Sequence, residues 1–269
     1  MAEIINGTTL ATQHEDNLRR ELSSLTQDGR QPTLVSFCNT DDPPSVRYTQ
    51  MKSGKAISLG IRFVTENYET GTLRSILKDK IKHHNVDQEI DGIMVQLPLP
   101  KPLRVFKEEL LELIDPEKDV DGLTIKGREI YMPATVKGAM SILDDDIGNW
   151  ERKVIAVVGS NGEVGRSMVE VLHQRGIQDI IEIDKDLGDI SKGIKQADLV
   201  ISCTGRKGLI KVAYVKPGFI AIDVGLGDFD EGSYQRASAY TPVRGGVGPM
   251  TVISLMENVV ESYKRKVLK

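Results

Sequence analysis

Tyr48 and Lys52 are two side chains whose types could take part in acid–base chemistry. They stand four residues apart on a helix predicted to run from Asp42 to about Leu59, so they share one face of that helix. A lysine amine transfers protons near neutral pH when its surroundings lower its pKa. Spacing alone favours a simpler interpretation, a solvated lysine beside a tyrosine that packs.

A glycine-rich turn suited to a dinucleotide lies in the second half of the chain. Val154–Val158 predicts a strand, Gly159–Gly165 forms the turn, and a helix follows through Leu172. Small residues let the backbone approach a pyrophosphate at a helix N-terminus, although the turn is not the strict G-x-G-x-x-G string. Asp184 ends the next predicted strand about 20 residues later, the interval at which an acid binds the ribose of NAD. A strand-end carboxylate exposed to water is the alternative for Asp184.

The segment Tyr240–Thr251 is rich in glycine and proline and precedes the last predicted helix. Glycine adopts backbone angles closed to other residues and admits a close ligand, while proline fixes the turn. Pro249 suits the first turn of the helix, whose N-terminus presents free backbone N–H groups. Composition alone is that of an ordinary loop leading into a helix.

The predicted elements that position these residues alternate between strand and helix. Thr33–Cys38 and Ile90–Leu97 are predicted strands, and helical patterns separate them. Such alternation predicts an α/β fold with a parallel sheet. A length of 269 residues is enough for one large or two small domains.

Composition excludes several classes of protein. A formal net charge of −4 gives no general reason to expect nucleic acid or a membrane as a partner. Cys38 and Cys203 each lie in an apolar run, so we expect buried free thiols and no metal site. The first residues lack the pattern of a signal peptide, and no apolar run reaches the roughly 18 residues of a membrane span. The sequence therefore predicts a cytoplasmic protein.

Four strings carry a resemblance to a known family. Thr241–Thr251 (Thr-Pro-Val-Arg-Gly-Gly-Val-Gly-Pro-Met-Thr) resembles the signature of the bifunctional methylenetetrahydrofolate dehydrogenase/methenyltetrahydrofolate cyclohydrolase family, with arginine where the family usually has proline. Ser45-x-x-Tyr48-x-x-x-Lys52 resembles the active-site helix of that family. Val95–Pro100 and Lys118–Gly122 match its Val-Gln-Leu-Pro-Leu-Pro and Lys-Asp-Val-Asp-Gly strings in the same order.

The resemblance implies two α/β domains around a cleft. One is a small folate-binding catalytic domain, expected over residues 1–118 plus 249–269, and the other is a Rossmann-type nucleotide domain over residues 119–248. The family precedent is a homodimer formed through the nucleotide domain.

The same resemblance implies a function in one-carbon metabolism. With NAD or NADP the enzyme would oxidise 5,10-methylenetetrahydrofolate to the methenyl cation, and it would then hydrolyse that cation to 10-formyltetrahydrofolate. Lys52 would act as general acid/base with Gln96 as its modulator, Tyr48 would orient the folate ring, and Asp121 would accept hydrogen bonds from the pterin amino group. Further substrate contacts are expected from Ser45, Leu97, Pro98, Gly246 and Pro249. Cofactor contacts are expected from Gly159, Ser160, Asn161, Gly162, Val164, Gly165, Asp184, Thr204, Gly205 and Gly245.

Two departures from the family bear on the choice of cofactor. Members that use NADP usually carry an arginine where this chain has Ser160 and a His-Ser segment near Asp184. A carboxylate repels the extra phosphate of NADP, and the missing arginine removes a bidentate partner for it. Both departures favour NAD, although Lys185, Arg166 and Arg244 are possible substitute partners for the phosphate.

Three other functions remain compatible with parts of the sequence. Altered neighbours such as Gly54 and Ala134 suggest a monofunctional NAD-dependent methylenetetrahydrofolate dehydrogenase. A folate- or nucleotide-binding regulator without turnover belongs to a different class. A Rossmann dehydrogenase for another substrate would leave the first-half strings unexplained.

Overall fold

The computed structural model describes residues 2–26 and 29–268. The chain forms two compact units. The six-stranded unit comprises the residues up to Thr12 together with Thr135–Thr251, and the three-stranded unit comprises Gln13–Ala134 together with the segment from Val252 onward. Each unit is built around its own parallel sheet.

Nine strands are present in the described residues. They are β1 Glu3–Ile4, β2 Thr33–Asn39, β3 Arg62–Tyr68, β4 Gly92–Val95, β5 Ile155–Val158, β6 Ile180–Ile183, β7 Leu199–Ser202, β8 Phe219–Asp223 and β9 Ala237–Tyr240. The smaller sheet has the order β3-β2-β4 and the larger one β1-β9-β8-β7-β5-β6. Every strand pairing in both sheets is parallel. The predicted parallel α/β class is therefore confirmed.

Helices connect the strands, as parallel pairing requires. They are α1 Gly7–Leu25, α2 Pro43–Ser58, α3 Arg74–Val86, α4 Lys101–Arg104, α5 Lys107–Leu111, α6 Ile125–Ile130, α7 Ala134–Asp146, α8 Glu163–Gln174, α9 Ser191–Ile194, α10 Glu231–Tyr234 and α11 Val247–Val267. Short 3-10 helices cover Trp150–Arg152, Lys185–Leu187 and Val212–Tyr214. In the part of the chain that the structure describes, each helix is too short or too polar to cross a bilayer.

Both sheets owe their rigidity to buried apolar strands. Every residue of β2 is buried, and its Val35 and Phe37 pack in one core with Ile93 of β4. In the six-stranded unit β5, β7 and β8 are buried along their whole length. Strands that are buried along their whole length are typical of a parallel sheet covered on both faces. Such a sheet fixes the positions of the loops at its strand ends.

The division into units differs from the predicted boundaries at 118 and 249. Glu3 and Ile4 pair with Ala239 and Tyr240 of β9, so the first residues join the six-stranded unit. The segment after Lys118 joins the three-stranded unit, where Ile93 N donates to Lys118 O at 2.7 Å. The predicted catalytic segment thus loses its first residues and gains those up to Ala134.

Candidate active site

Helix α2 positions Lys52. Asp42 caps the helix by accepting a hydrogen bond from Ser45 N at 3.0 Å, and prolines occupy its first positions. The Lys52 side chain is half-buried, and its Nζ donates to Gln96 Oε1 at 2.9 Å. Met94 Sδ lies 3.9 Å from the same nitrogen. The simpler interpretation of a solvated lysine is therefore wrong.

Gln96 is held in one orientation. It follows β4 directly, and its backbone N donates to Phe37 O at 2.9 Å. Its side-chain Nε2 donates to Leu97 O at 2.9 Å, which leaves Oε1 as the atom that accepts from Lys52. The glutamine is buried, so both ends of its amide are satisfied inside the protein.

Burial lowers the pKa of the Lys52 ammonium, because a charged group loses its hydration there. The negative charge of Asp121 acts in the opposite direction without cancelling that effect. The amine is thus closer to its neutral form than an ordinary lysine. A neutral amine beside an amide acceptor can take a proton from water, which is general-base chemistry.

The turn that carries Asp121 is fixed by its neighbours. The buried Asp119 carboxylate accepts hydrogen bonds from Leu123 N at 3.4 Å and Thr124 N at 2.8 Å. Gly122 has φ +66°, and a Cβ there would lie 2.7 Å from Tyr131 O. Only glycine fits that backbone angle and that space, so the turn presents Asp121 in a defined place.

Other predicted substrate contacts differ in accessibility. Tyr48 is 44% exposed, which leaves its ring available to a ligand, whereas Ser45 is only 2% exposed. Leu97 is half-buried and Pro98 exposed, with a cis peptide bond between them. These residues belong to the three-stranded unit together with Lys52, Gln96 and Asp121.

Gly246 and Pro249 belong to the six-stranded unit. Gly246 is packed tightly, since an added Cβ would be 2.3 Å from Pro242 O. Helix α11 begins at the next residue, Val247, and Pro249 lies in its first turn. Gly246 therefore serves close backbone packing at the start of the helix.

Gly54→Ala is expected to raise the free energy of unfolding by about 1 kcal/mol, the usual difference between glycine and alanine inside a helix. Gly54 lies in α2, is exposed, and an added Cβ meets nothing within 4 Å. Denaturant unfolding of the variant beside the wild type measures the difference. A Gly54→Ala variant that is less stable than the wild type would contradict this expectation.

The glycine turn of the six-stranded unit fits a dinucleotide. Gly159 has φ +86°, and a Cβ on Gly165 would lie 2.1 Å from Gly159 O. Gly162 caps α8 without a side-chain hydrogen bond, and a helix N-terminus that follows a glycine turn is a common place for an anion to bind. A cleft of about 300 Å³ opens beside the turn, and we call it the glycine-turn cleft. Its lining consists of Val158, Gly159, Asn161, Gly162, Asp184, Lys185, Ile190, Cys203, Thr204, Arg206 and Leu209.

Asp184 is tied to the glycine turn. Its Oδ2 accepts from Asn161 N at 2.9 Å, and its Oδ1 accepts from Lys185 N at 2.7 Å. The residue is half-buried and lines the glycine-turn cleft. Asp184 is therefore held at the glycine turn, and its role toward a ribose stays a prediction.

Of the other nine predicted cofactor residues, four line the cleft and five do not. Gly159, Asn161, Gly162 and Thr204 line it, as Asp184 does. Ser160, Val164, Gly165, Gly205 and Gly245 are absent from the lining. Ser160 and Gly165 are buried beneath the turn, and the exposed Gly205 has φ +62° directly after Thr204. Gly245 O accepts from Thr8 N at 3.1 Å within the same unit.

Sequence reasoning missed several residues of the cleft. Arg206, Leu209 and Ile190 line it, and the sequence offers only one signal for them, the glycine turn that begins at Thr204. Cys203 also lines it, and burial raises the pKa of its thiol to about 12. A raised pKa makes a thiol a weaker nucleophile at neutral pH. Among the residues that the structure covers, no group of three or more His, Cys, Asp or Glu side chains could hold a metal ion.

Comparison with known proteins matches both units. A family profile described as the catalytic domain of tetrahydrofolate dehydrogenase/cyclohydrolase matches residues 5–121. A second, described as the NAD(P)-binding domain of the same family, matches residues 133–267.

Individual relatives align over nearly the whole chain. "Bifunctional protein FolD" of Bacillus pumilus is 32% identical over 281 residues, with 98% of each chain covered. The structure of the bifunctional enzyme FolD from Campylobacter jejuni superposes with a TM-score of 0.92 at 30% identity, over 99% of this chain and 100% of that one. The Trypanosoma brucei enzyme, solved with NADP and an inhibitor, superposes with a TM-score of 0.90 at 27% identity, over 99% and 98%. The chain belongs to the tetrahydrofolate dehydrogenase/cyclohydrolase family.

Proposed function

We propose that the chain oxidises 5,10-methylenetetrahydrofolate to the 5,10-methenyl cation with NAD(P), and hydrolyses that cation to 10-formyltetrahydrofolate. The observation that carries the second activity is the 2.9 Å hydrogen bond from Lys52 Nζ to Gln96 Oε1, made by an amine whose pKa burial lowers. A neutral base beside a cationic substrate suits the addition of water to that substrate.

Lys52 acts as the general base in hydrolysis. Its neutral amine accepts a proton as water adds to the methenyl carbon, and the same group returns a proton when the ring C–N bond breaks. Gln96 accepts one amine hydrogen and so aims the nitrogen lone pair away from the amide. A methenyl cation and a lysine ammonium repel each other, which keeps the amine neutral when the substrate is in place.

The substrate is held by groups of both polar and apolar character. The exposed Tyr48 ring stacks on the folate ring, and Asp121 accepts hydrogen bonds from its amino group. Leu97 and Pro98 supply apolar contact. Gly246 and Pro249 are proposed as further substrate contacts, and Ser45, being buried, acts by packing within α2.

Binding of NAD(P) is assigned to the glycine-turn cleft. The backbone N–H groups at the start of α8 bind the pyrophosphate, and Gly159, Gly162 and Gly165 leave room for it. When bound, NAD(P) accepts a hydride from the bridging carbon of the substrate. Asp184 accepts hydrogen bonds from the adenosine ribose. The backbone N–H groups at the start of α8 orient the cofactor.

A preference for NAD over NADP is expected from Asp184. The ratio of kcat/KM values should favour NAD by about tenfold or more, since a like charge beside the ribose phosphate costs at least about 1.4 kcal/mol. Initial rates with methylenetetrahydrofolate and each cofactor, in one preparation, measure the ratio. Asp184→Asn keeps an acceptor for Asn161 N but removes the charge, so it should lower the ratio, whereas Asp186→Asn, at an exposed carboxylate two residues on, should not. A strong NADP preference of the wild type would overturn this assignment.

A monofunctional NAD-dependent dehydrogenase is the second candidate. The contact between Lys52 and Gln96 disfavours it, because a dehydrogenase needs no base at that place. Absorbance of the methenyl compound during turnover decides between the two candidates. Transient methenyl absorbance that decays enzymatically supports both activities, a persistent methenyl product indicates the dehydrogenase alone, and cofactor binding without hydride transfer indicates a regulator.

Homodimer formation remains a prediction for sedimentation analysis.

A further inference from the structure

A buried carboxylate of the six-stranded unit stands directly behind one wall of the glycine-turn cleft. Asp228 follows the loop after β8 and is fully buried. Its Oδ2 accepts from Ser202 Oγ at 2.6 Å and from Thr204 N at 2.8 Å. Its Oδ1 has no hydrogen-bond partner in the described part of the chain. Oδ2 therefore makes both of the hydrogen bonds that this carboxylate accepts.

The carboxylate is itself fixed from behind. Asp223, at the end of β8, accepts from Gly227 N at 2.8 Å and from Asp228 N at 3.3 Å. Tyr234 Oη donates to the same Asp223 carboxylate at 3.0 Å. A Cβ on Gly225 would lie 2.2 Å from Asp228 Oδ2, so the Asp228 carboxylate packs flat against the backbone there. These contacts hold the Asp228 side chain in one position.

The two donors that Asp228 binds belong to the segment that forms the cleft wall. Ser202 ends β7, and Cys203 and Thr204 line the glycine-turn cleft. The same segment supports the glycine turn, since a Cβ on Gly159 would meet Thr204 Cγ2 at 3.1 Å and Cys203 O at 3.3 Å. A displacement of this segment by a few tenths of an ångström therefore changes both the wall and the turn.

We propose that Asp228 is a positioning residue for the nucleotide: by holding Ser202 and Thr204 it sets the wall of the glycine-turn cleft and hence the affinity for NAD(P). This inference rests on the proposed function, which assigns NAD(P) to that cleft. Asp228 itself lies beneath the wall and does not line the cleft. Its effect is on binding of the cofactor and not on the chemistry at Lys52.

Asp228→Ala is the test, with titration of the ligand-free protein by NAD⁺ as the readout. We expect the dissociation constant to rise about tenfold or more, because two donors lose their shared acceptor. Steady-state rates should show a higher KM for NAD⁺, with kcat and the KM for folate nearly unchanged. Asp228→Asn keeps an amide oxygen for both donors and should largely restore the affinity.

Ser202→Ala and Asp230→Ala extend the test of Asp228. Ser202→Ala removes one donor and should weaken binding about fivefold, which keeps the inference testable if Asp228→Ala does not fold. Asp230→Ala is the matched control, because Asp230 caps α10 two residues further on and accepts from Ser233 N at 2.9 Å, outside the cleft. A folded Asp228→Ala or Ser202→Ala with unchanged affinity would overturn the inference, as would an Asp228→Asn variant that binds as weakly as Asp228→Ala. A wild-type protein that binds neither NAD⁺ nor NADP⁺ would instead refute the proposed function.

Discussion

Lys52→Met is expected to abolish cyclohydrolase turnover, with a loss of about 10²- to 10⁴-fold, while hydride transfer from methylenetetrahydrofolate remains measurable. A loss of that size is usual when a general acid/base is removed. Methionine keeps the length and apolar stem of lysine, so the folate site keeps its shape. Following methenyl absorbance in the purified variant separates the two activities, since the cation should accumulate.

Lys55→Met is the matched control for that experiment. Lys55 lies on the same helix, three residues further on, and its ammonium pairs with Glu15. Its removal should leave hydrolysis unchanged, because this lysine does not contact Gln96 or Met94. Full hydrolysis by Lys52→Met would refute the assignment of the base.

Lys52→Met should also be more stable than the wild type at neutral pH. The pKa of Lys52 is lower in the folded chain than in the unfolded chain, so the unfolded chain binds more protons between the two values. The folded protein therefore bears the cost of the desolvated amine at low and neutral pH, and that cost falls as pH rises through this window. Melting temperatures should favour Lys52→Met near neutral pH, and the difference should shrink toward the ordinary pKa of lysine, about 10.4.

Gly165→Ala is expected to weaken NAD(P) binding by about 5- to 150-fold, the range that overpacking of about 1–3 kcal/mol would produce. An added Cβ would lie 2.1 Å from Gly159 O, so the turn must open. That opening displaces the N–H groups assigned to the pyrophosphate. Titration of the ligand-free variant with NAD⁺ and NADP⁺ measures the loss.

Gly54→Ala serves as the control for that loss. Gly54 is also a helix glycine, but a Cβ there meets nothing within 4 Å. It should leave the nucleotide affinity unchanged. Equal affinity of Gly165→Ala and the wild type would show that the turn does not cradle the cofactor.

Local patterns predicted the parts of the fold that depend on local physics. The strand, glycine turn and helix around Gly159 follow from backbone angles that only glycine tolerates, and the helix predicted from Asp42 begins there because the Asp42 side chain caps it. The contact between Lys52 and Gln96 did not follow from spacing, which favoured a solvated lysine. It came from the family resemblance, because the two residues are 44 positions apart.

The missed features depend on contacts distant in the sequence. Strand β1 has two residues, too few for any periodic pattern, and its pairing with β9 fixes it. The division of the chain into compact units differs from the predicted boundaries for the same reason. Asp228 carried no signal either, because its role depends on how the loop after β8 returns to Ser202 and Thr204.

General-base chemistry at Lys52 depends on a desolvated amine whose pKa lies below that of an ordinary lysine. Titration of isotope-labelled lysine side chains by NMR, with the Lys52 signal identified from its loss in Lys52→Met, measures that property directly. We predict a pKa for Lys52 clearly below the ordinary lysine value of about 10.4. A value at or above that of an ordinary lysine would contradict the assignment of Lys52 as the base.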